Sequence, residues 1–95
     1  MAASQNIVGT KIRAIRREKG LTQAMLAARC GILGWDIGEN TITKIETNVR
    51  CVVDAEILCL ASALDVQPVN LLPEPDKLKA VMKSYFGSSS SQIDR

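Results

Sequence analysis

Leu21-Thr22-Gln23-Ala24-Met25-Leu26-Ala27-Ala28-Arg29-Cys30-Gly31, followed a few residues later by Glu39-Asn40-Thr41-Ile42-Thr43-Lys44-Ile45-Glu46, is the stretch whose reading decides the fold. In the first part Met25, Leu26, Ala27 and Cys30 recur at helical spacing behind Thr22, whose hydroxyl can cap a helix start. No Glu follows Thr22 three residues later, so the usual reciprocal cap is incomplete. Gly31 is expected to end this helix. In the second part Ile42 and Ile45 turn inward, and Asn48 tolerates a left-handed stop. The outward face of that second helix is polar. Two short helices meeting at a steep angle, the second polar outside, form a unit that can lay one helix in the major groove of DNA.

Working outward, Lys11-Ile12-Arg13-Ala14-Ile15-Arg16-Arg17-Glu18-Lys19-Gly20 precedes the pair. Val8, Ile12 and Ile15 share one face of a helix from about residue 7 or 8 to Lys19, while Lys11, Arg13 and Arg17 share the other; Gly20 closes it. Beyond the pair, a fourth helix is expected over Asp54 to Leu64 with Ile57, Leu58, Leu60, Ala61 and Leu64 as its core stripe. A short fifth, Pro68 to Leu72, would contribute Val66, Val69, Leu71 and Leu72, with Pro68 in its first turn. Pro73 and Pro75 then break the chain, and Asp76 to Phe86 carries Leu78, Val81, Met82, Tyr85 and Phe86 at helical spacing. The domain reading is therefore residues 1–72 as the binding domain, 73–86 as a C-terminal helical extension and 87–95 as a flexible Ser-rich tail.

Composition bounds what such a chain does. Its 95 residues are enough for one modest core. With only Trp35, Tyr85 and Phe86 aromatic, Ile, Leu, Val and Ala must build that core. No apolar run approaches the roughly 18 residues of a membrane span, and the start lacks the basic and apolar regions of a signal peptide. Cys30, Cys51 and Cys59 are odd in number, lack CxxC spacing and have no His to join them; they read as small buried hydrophobes in a reducing cytoplasm, with neither a zinc site nor a cofactor. Net charge is +2, but unevenly placed. Residues 1–50 hold eight Lys or Arg and four Asp or Glu, net +4, and residues 51–95 hold four and six, net −2. The basic half is the half with the helix pair, which suits a polyanion.

Residues 7–72 resemble the Xre/Cro-like helix-turn-helix family of phage and bacterial repressors. The resemblance is carried by Ile7 to Arg13, Lys19-Gly20-Leu21-Thr22-Gln23, Leu26-Ala27, Thr41-Ile42-Thr43-Lys44-Ile45-Glu46, Arg50, Leu60-Ala61 and Leu64-Asp65-Val66. It implies an all-α fold, a five-helix repressor-like DNA-binding bundle, here with an additional C-terminal helix. It also implies that helix 39–47 reads double-stranded DNA, usually as a homodimer on a two-fold site. Carried over by position, Glu39, Asn40, Thr43 and Lys44 would contact bases. Gln23, with Arg13, Arg17 and Arg50, would contact phosphates, and Arg16 with Glu46 would form the internal ion pair. Asn suits adenine, Lys guanine, and Glu the amino group of cytosine. The chain departs from the family in a longer stretch between the helix pair, Gly31 to Gly38, where apolar Trp35 is expected to plug the core. It departs again at the cap Gly38, at acidic Glu39, and after the reading helix, where Arg50 alone is basic.

The leading reading is a cytoplasmic, sequence-specific DNA-binding transcriptional regulator of repressor type. The alternative is an antitoxin-like protein-interaction module that binds a partner protein through 76–86, with or without DNA. An enzyme ranks far below, for want of His, a phosphate loop or a nucleophile–base pair. Leu78, Val81, Met82, Tyr85 and Phe86 either form the dimer interface or fold back on the monomer core.

Overall fold

A computed structural model describes residues 5–86, except for the side chain of Tyr85. The expected tail, 87–95, lies outside the described residues. Those residues form five α-helices and no strand: α1 Gly9–Glu18, α2 Gln23–Ile32, α3 Glu39–Glu46, α4 Asp54–Leu64 and α5 Leu78–Phe86. Two 3-10 turns, Pro68–Leu71 and Pro75–Lys77, lie between α4 and α5. The all-α bundle expected from the sequence is the fold observed.

The core is aliphatic. Val8, Ile12, Leu26, Ile42, Ile45, Leu60, Leu64 and Leu71 are fully enclosed, and Ile15, Trp35, Ile37, Val52, Ile57 and Val66 pack around them. These residues come from α1 to α4, the segments that flank them and the first 3-10 turn, so one core unites residues 8–71. Within it α2 packs on both α3 and α4, and α1 packs on α3. Among the described residues no single helix is long and apolar enough to cross a membrane.

Several helix ends differ from expectation. Gly31 lies inside α2, which continues to Ile32; the left-handed residue is Gly34, at φ 106°. An L side chain there would be strained, so the chain reverses at this later glycine. The start of α2 is capped on both sides. Thr22 Oγ1 accepts from the Met25 amide at 3.0 Å, and the Met25 thioether accepts from the Thr22 amide at 3.5 Å. A sulfur thus fills the place usually held by a carboxylate. The expected fifth helix is a 3-10 turn that buries Leu71 but leaves Val69 and Leu72 exposed.

Leu58, expected in the core, is 62% exposed. The inward stripe of α4 is Leu60, Ala61 and Leu64, with Ile57 half-buried, and Leu58 lies one residue off it, about 100° around the helix. The cysteines divide likewise: Cys30 is buried, Cys59 half-buried and Cys51 exposed, all as free thiols. Burial, with Cys59 adjacent, pushes the Cys30 thiol up to about 12.

Candidate nucleic-acid interface

Three elements fix α3 against the rest of the molecule. The first is a buried polar hub. Arg16 of α1 donates from Nε to Glu46 Oε2 at 2.6 Å and from Nη2 to Glu46 Oε1 at 3.0 Å. Its Nη1 donates to the Leu21 carbonyl at 2.7 Å. Gln23 at the start of α2 donates to the same Glu46 Oε1 at 3.0 Å and accepts from the Thr43 hydroxyl at 2.8 Å. One carboxylate therefore ties together the end of α3, the last turn of α1 and the first turn of α2. The Arg16 guanidinium is held more basic than usual, chiefly by its hydrogen bonds to Glu46.

The second element, absent from the sequence reading, is Asn6. Its buried amide donates to the carbonyls of Ile45 at 3.1 Å and Arg50 at 2.8 Å. Its Oδ1 accepts from the amides of Val8 at 3.0 Å and Gly9 at 2.7 Å. Asn6 thus caps α1 and binds the carboxyl end of α3 in one step, using all the groups an amide offers. Gly9 allows this approach: a Cβ there would stand 2.1 Å from the Ile45 carbonyl oxygen.

The third element brackets α3 from its two flanking loops. Trp35, before α3, is half-buried against the core, and the Arg50 guanidinium lies over its ring at 5.7 Å from the centroid. Arg50, after α3, also pairs with Glu56 of α4 through both terminal guanidinium nitrogens, at 2.9 and 3.0 Å. Trp35 is therefore half core plug and half platform for a cation. Arg50 is less free than the sequence suggested.

Held this way, α3 turns Glu39, Asn40, Thr43 and Lys44 outward, all four exposed, while Ile42, Ile45 and Glu46 face inward. Gly38 begins the helix without a side-chain cap. The Thr43 hydroxyl lies within 3.1 Å of the Glu39 carbonyl as well as bonding Gln23, so this side chain is fixed in direction. Arg13 and Arg17 are exposed on α1. The Leu78–Phe86 stripe is partly occupied. Val81, Met82 and Phe86 flank an apolar groove of about 350 Å³ whose other wall includes Ile7, Val52, Ile57 and Leu72. Leu78, Met82 and Phe86 remain about half exposed.

A helix pair fixed on a small aliphatic core, with the second helix polar outside and anchored through its carboxyl half, defines a helix-turn-helix protein. Residues 12–71 match the helix-turn-helix family model. The chain is also 34% identical to the restriction-modification controller protein C.AhdI from Aeromonas hydrophila, with a TM-score of 0.61 over 68% of this chain and 87% of that one. It is similar to the DNA-binding domain of BldD, with 26% identity and a TM-score of 0.62 over 77% of this chain and 100% of that one. It is similar as well to the controller protein C.Esp1396I, solved as a tetramer with its natural 35-base-pair operator, with 26% identity, a TM-score of 0.58, and coverage of 81% and 87%. No curated protein matches. The chain belongs to the Xre/Cro-like helix-turn-helix family of DNA-binding regulators.

Proposed function

We propose that this protein is a repressor-type transcriptional regulator that reads a specific duplex sequence through the outward face of α3. The observation that carries this reading is the pairing of an exposed Glu39–Asn40–Thr43–Lys44 face with a buried Arg16–Glu46–Gln23 hub that fixes its direction. Base discrimination needs side chains held to within a fraction of an ångström, and rigid elements with locked neighbours supply that. Lys44 and Asn40 carry sequence choice, through guanine and adenine respectively; Glu39 accepts from a cytosine amino group; Thr43 makes the adjoining contact. Arg13, Arg17 and Gln23 meet phosphates and contribute affinity without preference. Arg50, the remaining candidate for a phosphate contact, is already paired with Glu56.

The protein acts as a homodimer. The half-exposed apolar side chains of α5 supply the surface, and the operator complex of the related controller protein supports oligomeric binding. Two reading helices then sit about 34 Å apart on successive major grooves. Occupation of an operator within a promoter would exclude polymerase by simple overlap. Selection of bound duplexes from a random pool tests the reading. Lys44→Ala and Asn40→Ala are expected to relax preference at one or two base pairs each, by about 1–3 kcal/mol. An unchanged profile for both variants would remove α3 as the reading helix.

A further inference from the structure

Arg50 stands in the loop that follows the reading helix, yet its guanidinium is already occupied. Nη1 and Nη2 donate side by side to Oε1 and Oε2 of Glu56, at 2.9 and 3.0 Å. Two parallel bonds of this kind are what a guanidinium also gives a phosphate. Glu56 Oε1 accepts in addition from the Val53 amide at 3.1 Å, at the amino end of α4, where the helix favours negative charge. One carboxylate therefore takes up a fork of cationic donors and a backbone amide, a set of donors suited to an anion.

We propose that Glu56 is an internal substitute for a DNA backbone phosphate, masking Arg50 and so setting the affinity and salt dependence of binding. The proposal rests on the DNA-binding reading and adds a residue to it that touches neither base nor backbone. The pair carries no net charge, so Arg50 adds nothing to counterion release while Glu56 holds it. The site is also open enough for exchange: the Arg50 side chain is 32% exposed and that of Glu56 18%. A partly exposed pair adds little to folding stability. Its effect on the potential beside α3 is larger, because releasing Glu56 uncovers a full positive charge there. The face of Trp35 and the Cys51 carbonyl, at 2.9 Å from Nη1, keep the guanidinium at the surface when the carboxylate lets go. Arg50 holds the Glu56 carboxyl below the usual carboxylate range, so the mask is fully charged at neutral pH.

The test is a titration of the full chain with a selected operator and with random duplex, from about 50 to 200 mM salt. It compares the unaltered protein with Glu56→Gln, Arg50→Gln and the double variant. Gln keeps the shape of Glu56 and its acceptor for Val53 but loses the charge. With Arg50 masked, Arg13 and Arg17 give a dimer four charged contacts and a slope of log K on log salt of about −3.6. Glu56→Gln is expected to tighten binding several-fold on both duplexes and to steepen the slope to about −5. Arg50→Gln alone is expected to leave the slope unchanged, and in the double variant to cancel the gain. A merely structural pair would give weaker binding and an unmoved slope in Glu56→Gln, and that result overturns the proposal. So does a flatter slope in Arg50→Gln alone, because Arg50 would then already be on phosphate. If no protein in the set, the unaltered one included, binds duplex DNA, the DNA-binding reading itself falls and this proposal with it.

Discussion

The joint between α1 and α3 and the joint between α5 and the body are built on opposite plans. At the first, polar groups are buried or half-buried and each is satisfied: Arg16, Gln23 and Asn6 direct their donors onto Glu46 or onto the carbonyls of Leu21, Ile45 and Arg50. No buried side-chain polar atom among the described residues lacks a partner. At the second, the contact is apolar and incomplete. Val81 is half-buried, while Leu78, Met82 and Phe86 stand exposed beside an open groove. Hydrogen bonds are directional and costly to leave unmade, so a saturated network admits one geometry. Apolar contact is non-directional and tolerates a new neighbour. The directional interactions thus lie where α3 is held in place, and the apolar surplus lies where another surface can be added.

The contrast breaks if the buried hub proves dispensable. Glu46→Ala leaves the Arg16 guanidinium buried without its carboxylate, and is expected to lower stability by about 3–5 kcal/mol in denaturant titration. The paired replacement Arg16→Met with Glu46→Leu should cost clearly less than Glu46→Ala, since it leaves no lone charge. Equal costs would mean that the hub acts by packing alone.

Gly9 sharpens the comparison at the same joint by a steric route. Gly9→Ala puts a methyl where the Ile45 carbonyl already stands, so α1 must move off α3. A loss of about 1–3 kcal/mol is expected, together with weaker operator binding, because the shift carries α3 with it. In a helix interior Ala is otherwise favoured over Gly by about 1 kcal/mol, so a stabilised variant would show that the two helices do not meet as described.

The smallest folding effect belongs to the other joint. A chain ending at Leu72 keeps Leu71 and the whole enclosed core, and its monomer stability should stay within about 0.5 kcal/mol of the full chain's. Its mass in solution should fall from dimer to monomer, with operator binding reduced to weak half-site contact. A truncated chain that stays dimeric would clear α5 of the interface. One that unfolds would make α5 part of the core after all.

Much of this was legible in the chain itself. The period of Ile12, Ile42, Ile45, Leu60 and Leu64, the hydroxyl of Thr22 and the charge asymmetry pointed to a helical bundle with a polar, outward third helix. Those signals are local, arising from 3.6-residue periodicity and from caps that act within one turn. Arg16 with Glu46 was readable only through family resemblance, because no local rule joins residues thirty positions apart. Leu58 was misplaced, since α4 is apolar on several sides and the sequence does not say which side meets a neighbour. Gly31 was misread, since two glycines stood close together and only the path of the backbone selects the one with positive φ. Asn6, Gly9 and the Trp35–Arg50–Glu56 contact were visible only in three dimensions. Each depends on the distance between groups far apart in the chain, and that distance is set by how the helices pack.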